Sequence, residues 1–206
     1  MASSKNASAA RKEVLDMLIE DHKRAKKLFR EFEKLSEDDA EERESLVSLA
    51  CAELKLHTQL EEDCFYPALR GKLKEEDLLE EAEVEHASAK QLIEQLDAMD
   101  AEEPKFAATF KVLGEYVKHH IKEEESEMFE QAQKARIDWS ALLEQMTQRR
   151  MELEMELGLA DDDAEGEDLG ETSTMMAEAS TEATAEAGAT GEGDSNGRGR
   201  QRAAIE

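Results

Sequence analysis

The feature that most constrains this chain is a repeat that carries four of its five histidines. The stretch EDHKRAKKLF, which contains His22, aligns with VEHASAKQLI, which contains His86, at an offset of 64 residues. Further along each half, HTQLEED at His57 aligns with HIKEEES at His120, at an offset of 63. Because the same residues recur at nearly the same spacing, the two halves are predicted to share one structure.

The second stretch of each half places a glutamate four residues after a histidine, as His57/Glu61 and His120/Glu124. Residues four apart lie on one face of an α-helix, about one turn apart. One such pair carries little information, because Asp and Glu occupy 52 of the 206 positions and surface pairs of this kind arise by chance. Their recurrence in the same register, together with His22 and His86, indicates a shared site.

The residues between these motifs favour helices. Ala, Leu, Glu, Lys and Met are abundant, β-branched residues are sparse and there are two prolines. Apolar residues at helical spacing predict five helices, over residues 11–35, 43–66, 76–99, 104–134 and 138–157. Asp138 is predicted to be the N-cap of the last helix. The fold class is therefore predicted to be all-α.

Four segments follow from this pattern. We predict a flexible N-terminus over residues 1–10, a four-helix bundle over 11–135, an additional amphipathic helix over 138–157 and a disordered acidic tail over 158–206. The last segment has no Phe, Tyr, Trp, Val or Lys. Such a composition cannot bury an apolar core, so no folded domain is expected there.

The turns predict which residues share a level. In an up-and-down antiparallel four-helix bundle, residues equally far from a turn lie at the same height. The midpoint between His22 and His57 falls in the turn SEDDAEE, and the midpoint between His86 and His120 falls beside Pro104. The sequence thus predicts that four helices bring one set of side chains to one layer: His22, His57, Glu61, His86, His120 and Glu124.

This layer is predicted to face the interior, because its histidines share helix faces with apolar residues. Four imidazoles and two carboxylates in an apolar core are costly to bury without partners. A pair of metal ions would satisfy all of them, and mixed imidazole and carboxylate ligands suit iron, manganese or zinc. The alternative is that each histidine is satisfied separately, as a core or surface side chain.

The order His22, then His57-x-x-x-Glu61, then His86, then His120-x-x-x-Glu124 closely resembles the hemerythrin-like, or HHE cation-binding, domain over about residues 13–133. The resemblance implies a four-helix bundle that holds two iron ions, with both glutamates bridging the irons and the histidines capping them. It also implies open metal positions for O₂, peroxide or oxide. The FYP that follows Glu61 matches the family as well.

One position departs from the oxygen carriers of that family. They have a second histidine on the third helix, where this chain has Ala82 and Lys90. This difference favours sensing or redox chemistry over reversible O₂ carriage. Three further residues lie near the predicted ligands and could tune the centre, or could serve only in packing or contact solvent: Glu53, Cys64 and Tyr116.

The formal net charge of −26 disfavours binding to nucleic acid or to anionic membranes. No apolar run is long enough to span a bilayer, and the first residues do not resemble a secretory signal. Cys51 and Cys64 lie 13 residues apart on one predicted helix, too far apart to form a disulfide. We therefore expect a cytoplasmic protein.

Three functions stay open from the sequence. The first is a di-iron protein that binds or senses O₂, peroxide or iron and redox state. The second is an enzyme that acts on peroxide or Fe(II) at the same site. The third is a metal-free helical adaptor with an acidic tail. A protein partner would contact the acidic tail or the fifth helix.

Overall fold

The computed structural model describes residues 2–160, and it describes the side chains from residue 6 onward. These residues form five helices and no strand, which confirms the all-α prediction. The helices are α1 (Ala2–Phe32), α2 (Ala40–Leu60, extended by Glu61–Phe65 and Tyr66–Leu69), α3 (Asp77–Asp97), α4 (Phe106–Glu123, extended by Glu124–Met128 and Phe129–Ala132) and α5 (Trp139–Leu157).

The first four helices form the predicted bundle. Helix α1 packs against α2, α2 against α3 and α3 against α4. Helix α4 also packs against α1, which closes the ring. Short connections between such neighbours make them antiparallel. The fifth helix packs mainly against α1 and α2, which form the first half of the bundle.

The turns follow local chemistry. Gly71 has a φ of +72° in the turn after α2, a backbone conformation that favours glycine. The side chain of Asp138 accepts a hydrogen bond from the N–H of Ala141 at 3.2 Å, which is the predicted cap of α5. Gly158, with a φ of +72°, ends α5 in the left-handed conformation common after helices.

The apolar core has two parts, one on each side of the histidine layer. The part next to α5 contains aromatic and aliphatic side chains from all five helices, including Leu18, Leu60, Leu79, Phe129 and Met146. The other part lies towards the opposite end of the bundle and contains Phe29, Leu54, Ile93, Phe110 and Leu113. The polar layer therefore has apolar packing above and below it.

Two helix boundaries differ from the prediction. The first helix begins at Ala2, within the segment predicted to be flexible, because the alanines and the lysine of residues 2–10 favour a helix without an apolar stripe. Helix α2 continues past Pro67 to Leu69, since proline is tolerated in a first helical turn. Residues 161–206, most of the predicted tail, lie outside the described residues. Leu159, at the start of that segment, packs partly against the core.

The two extensions contain a feature that the sequence did not predict. Glu61–Phe65 and Glu124–Met128 are π-helical turns, which are rare and occur often at functional sites. No helix among the described residues is both long enough and apolar enough to span a membrane.

Candidate metal centre

The six predicted ligands lie in one buried layer. His22 comes from α1, His57 and Glu61 from α2, His86 from α3, and the last two from α4. The histidines and glutamates of this layer are each at most 7% exposed: His22, His57, Glu61, His86, His120 and Glu124. Their role as metal ligands stays a prediction, but the structure places all six where a shared site requires them.

Four of these side chains form a first group, built mainly from the first half of the repeat. Ligand atoms of His22, His57, Glu61 and Glu124 all lie within 4.8 Å of one another. The Nε2 of His22 is 3.1 Å from an oxygen of Glu124, and the Nε2 of His57 is 3.3 Å from an oxygen of Glu61. Donors bound at about 2.1 Å to one metal are separated by about 3.0–3.4 Å, so this spacing fits a single ion.

A second group contains Glu61 again, with His86 and His120 from the second half of the repeat. The Nε2 of His86 is 3.4 Å from Glu61 and 3.2 Å from the Nε2 of His120. An oxygen of Glu124 lies 3.9 Å from His120, so this carboxylate also reaches towards the second group. Each half of the repeat thus supplies two histidines to one group, and the carboxylates lie between the groups.

Several polar atoms of the layer are buried without a hydrogen bond. They are the Nε2 atoms of His22 and His57, Oε1 of Glu61 and Oε2 of Glu124. The closest of them are 3.1 Å apart but lack the angles of a hydrogen bond. Burying such atoms unsatisfied is costly, whereas lone pairs that converge on one point suit a cation. The donor set therefore fits a pair of metal ions.

Each of the four histidines is held from behind by a carboxylate on its other ring nitrogen. The Nδ1 atoms of His22, His57, His86 and His120 lie 2.9, 3.4, 3.1 and 2.8 Å from oxygens of Glu125, Asp21, Glu62 and Glu85, respectively. An Nδ1–H that donates to a carboxylate leaves the Nε2 lone pair free for a metal and fixes the ring orientation.

These four carboxylates were not among the predicted site residues, although the sequence contains a signal for them. Asp21 and Glu85 each precede a ligand histidine, whereas Glu62 and Glu125 each follow a ligand glutamate, so all four obey the internal repeat. The repeat extends one step further, because Lys90 donates to Glu62 at 2.5 Å and Lys26 donates to Glu125 at 3.1 Å.

Lys90 occupies one of the two positions around His86 at which the resemblance to the oxygen carriers would place a further histidine. In this structure its ammonium group binds Glu62, the carboxylate that holds His86. Ala82, the other candidate position, is buried in the core. Neither residue is a metal ligand in this layer, which agrees with the four-histidine set that the sequence predicts.

The two halves of the repeat differ at one aromatic position beside the ligands, where the first half has Tyr66 and the second has Phe129. Tyr66 stacks on His86 with ring centroids 5.5 Å apart, and Phe129 stacks on His22 at 5.9 Å. The Tyr66 hydroxyl lies 3.4 Å from Glu61, from Glu124 and from His86. Its aromatic counterpart in the second half is Phe129, at an offset of 63, so only the first half supplies this hydroxyl.

The π-helical turns explain how these rings reach the centre. Residues five apart on an α-helix point about 140° away from each other. In both π-helical turns the backbone N–H five residues on bonds to the glutamate carbonyl, from Tyr66 to Glu61 and from Phe129 to Glu124. The wider turn brings each ring round to the face of its glutamate.

Burial and charge shift the pKa values in the layer. Burial, together with the neighbouring charge of Glu124, raises the pKa of Glu61 well above its usual value. Burial also lowers the pKa of His57 to about 4, despite its hydrogen bond to Asp21. Without a cation, the layer therefore favours a neutral His57 and a proton on one of its two glutamates.

The three residues predicted to tune the centre lie at different distances from it. Glu53 and Tyr116 line a cavity between the helices on the side of His57 and His120, along with all four ligand histidines and apolar side chains. Cys64 is buried in the apolar core beside α5 instead. Of the three, Glu53 and Tyr116 border space that a small ligand could occupy, and Cys64 serves packing.

Comparisons with known proteins agree with this geometry. The sequence model of the family described as Hemerythrin HHE cation binding domain matches residues 13–132. A crystal structure of a hemerythrin HHE cation binding domain-containing protein from Mycobacterium kansasii superimposes with a TM-score of 0.59 at 25% identity, covering 68% of this chain and 86% of that one.

A curated relative, a DNA nickase from Nostoc sp., is 28% identical over 116 residues, which are 56% of this chain. The chain spans 32% of the length of that relative. Because the family match covers more than half of the sequence and includes all six residues of the layer, the chain belongs to the hemerythrin HHE cation-binding family.

Proposed function

We propose that this protein is a non-haem di-iron protein that binds or senses O₂, peroxide or the cellular iron and redox state. The observation that carries the proposal is the pair of buried donor groups that share Glu61, one with His22 and His57 and the other with His86 and His120. Two sets of nitrogen and oxygen donors joined by a carboxylate suit two adjacent ions of the iron type. Manganese or zinc are the alternatives that the same donors would accept.

The chain would hold the metals in a fixed way. The Nε2 atoms of four histidines and the oxygens of Glu61 and Glu124 would be the ligands, and four further carboxylates orient the imidazoles. Bound iron would supply redox chemistry and positions for a small exogenous ligand. The Tyr66 hydroxyl can donate a hydrogen bond to either glutamate, and the apolar packing on both sides limits access of water.

An enzyme is the second candidate, acting on peroxide or on Fe(II). The specific observation in its favour is the small cavity beside the ligand histidines, whose lining contains both Glu53 and Tyr116. A substrate as small as peroxide could reach the metals through this space. Steady-state turnover of peroxide by the iron-loaded protein would favour the enzyme, and stoichiometric binding without turnover would favour the sensor.

The activity named for the Nostoc relative is not part of the proposal. A net charge of −26 opposes binding to a polyanion, because the 52 Asp and Glu residues outnumber the 26 Lys and Arg residues that could neutralise phosphates. We propose a cytoplasmic location, in line with two buried free thiols, Cys51 and Cys64. A protein partner would bind the acidic C-terminal segment or the fifth helix.

The test is metal content with the absorption spectrum of the air-oxidised protein. We expect about two metals per chain, and we expect Glu124→Ala or His57→Ala to lose both, because the carboxylates connect the two groups. Glu127→Ala is the matched control, since this exposed acid lies on the same helix outside the layer. Circular dichroism must show that each variant is folded, with Glu124→Gln as the milder change.

Two results would contradict the proposal. Retention of one metal at full occupancy in folded Glu124→Ala would exclude a carboxylate-bridged pair. Absence of metal in the wild-type protein after loading, with a melting temperature that metal does not change, would favour the metal-free adaptor instead.

A further inference from the structure

A second cluster of metal-binding side chains lies at the surface, next to the buried layer. Ligand atoms of Glu85, His119 and Glu123 come within 4.8 Å of one another. The Nε2 of His119 is 3.2 Å from Glu123 and 3.8 Å from Glu85. The His119 side chain is 61% exposed, so a hydrated cation can reach it from solvent. We propose that these three residues form an outer site for a divalent cation on its way to the buried centre.

The outer cluster is connected to the centre by one carboxylate. Oε1 of Glu85 faces His119, whereas its Oε2 lies 2.8 Å from the Nδ1 of the buried ligand His120. A cation bound by Glu85 is therefore one side chain away from a ligand of the centre. Glu85 thus borders the outer cluster with one oxygen and holds a ligand histidine of the centre with the other.

A narrow cleft leads inward along the same path. Three acids, Glu81, Glu85 and Glu123, line it together with His120 and Glu124 of the buried layer and the apolar side chains of Leu78, Ala82 and Met128. Oε2 of Glu124 makes no hydrogen bond among the described residues and lies 3.1 Å from the Nε2 of His22, so the cleft leads towards the first donor group. The acids along the cleft attract a cation, because clefts with one sign of charge focus the field.

The first half of the repeat has apolar residues at the equivalent positions. The residues that match His119 and Glu123 at the offset of 63 are Leu56 and Leu60. Both are at most 1% exposed, in the part of the core that packs against α5. At these positions the first half is therefore packed in the core beside α5, whereas the second half presents the exposed His119 and the acids of the cleft.

A histidine and two carboxylates suit divalent cations of the iron type, but an exposed site with so few ligands binds weakly. Weak binding is what transit requires, since a tight outer site would retain the metal. The inference rests on the proposed metal-binding function, and it adds the route by which the metals arrive.

The experiment measures the rate at which metal-stripped full-length protein takes up Fe(II) without oxygen. Samples are quenched with excess chelator at successive times, desalted and analysed for protein-bound iron. We expect His119→Ala combined with Glu123→Gln to load at least about tenfold more slowly than wild type, with the same final iron content. Glu130→Gln, which removes one charge from an exposed side chain of the same helix, controls for general electrostatics and should load nearly as fast as wild type.

Each outcome decides between the two proposals. An unchanged loading rate in the double variant overturns the outer site. A lower final iron content overturns it as well, because the residues would then hold the metals in place. If the wild-type protein itself acquires no chelator-resistant iron, the proposed function fails, independently of the route. Circular dichroism of the double variant confirms that the fold is intact.

Discussion

The two halves of this molecule carry the same ligands in different surroundings. Helices α1 and α2 supply His22, His57 and Glu61, and helices α3 and α4 supply their counterparts at offsets of 64 and 63. The carboxylates behind the imidazoles also repeat. The residues around these ligands and carboxylates differ between the halves, because α5 packs mainly against the first half.

The difference is clearest behind His57 and His120. Asp21, which holds His57, is 4% exposed and also binds Arg24 at 2.7 Å and Arg150 of α5. Glu85, which holds His120, has a side chain that is 24% exposed and contacts the surface residue His119. The carboxylate behind His57 is thus buried beside two arginines, and the carboxylate behind His120 is partly exposed beside a surface histidine.

The two halves match where they supply the shared layer of ligands, and they differ around it. A shared pair of carboxylates requires matching ligands on both sides, so the repeat is preserved there. The packing of α5, the charge balance and the Tyr66 hydroxyl are free to differ, and they make the two donor groups chemically unequal.

The largest expected effect on the free energy of unfolding concerns α5, which packs against the first half. Met146 of α5 is fully buried against the first half, and Met155 of the same helix is 70% exposed. We expect Met146→Ala to lower the free energy of unfolding by about 2–5 kcal/mol, because it leaves a cavity between α5 and the bundle. Met155→Ala is the control and should change it by less than about 0.5 kcal/mol. Equal effects in chemical denaturation would mean that α5 does not stabilise the first half.

The second prediction concerns protonation in the metal-free protein. Burial lowers the pKa of His57 to about 4. Burial opposes charge on His120 too, but its hydrogen bond to Glu85 and the charge of Glu124 raise its pKa above the ordinary value. NMR titration should therefore show His120 charged at a pH where His57 is still neutral.

The two shifts have opposite consequences for stability. Between about pH 6.5 and 4, the unfolded chain binds a proton at residue 57 that the folded chain does not, so this contribution falls as the pH falls. The contribution of His120 is fully present below about pH 6.5 and is lost as the pH rises through its raised pKa. Titration of both histidines at one pH would contradict the comparison.

The third prediction concerns Arg150 of α5, whose guanidinium group contacts Asp21 behind His57. Arg150→Met should destabilise the fold by about 1–3 kcal/mol, because it removes a charged partner of the buried Asp21 while Arg24 remains. It should also raise the pKa of His57, since Asp21 becomes less neutralised. Arg149→Met is the matched control, because Arg149 pairs with the more exposed Asp63. An unchanged His57 titration would exclude this link.

The sequence predicts the layer well because one periodicity governs it. Helical spacing and the positions of the turns are enough to bring His22, His57, His86 and His120 to one level, and the structure places them there. Register within a bundle depends on the apolar stripes and the loop lengths, both of which can be read from the residues.

Other features depend on contacts that the spacing does not encode. The π-helical turns arise where the backbone widens to bring Tyr66 and Phe129 onto the ligand face, and the sequence lacks a local signal for this. The contact between Arg150 and Asp21 joins residues 129 positions apart, so it follows only from the packing of α5. The spacing of Cys64 from Glu61 allows either a place beside the ligands or packing, and its side chain lies in the apolar core beside α5.

The smallest expected effect comes from the hydroxyl that separates the two aromatic counterparts. Tyr66→Phe makes the first half match Phe129 of the second. The hydroxyl lies 3.4 Å from each of its three partners, so these hydrogen bonds are long and weak. We expect a loss of at most about 1 kcal/mol in the free energy of unfolding, with unchanged metal content. The absorption spectrum of the iron-loaded protein should change, because Tyr66 is the polar neighbour of both glutamates.

Phe129→Tyr is the reciprocal change. It should lower the free energy of unfolding by about 1–3 kcal/mol, because the added hydroxyl would enter a packed site. If Tyr66→Phe lost metal, the hydroxyl of Tyr66 would be part of the ligand set.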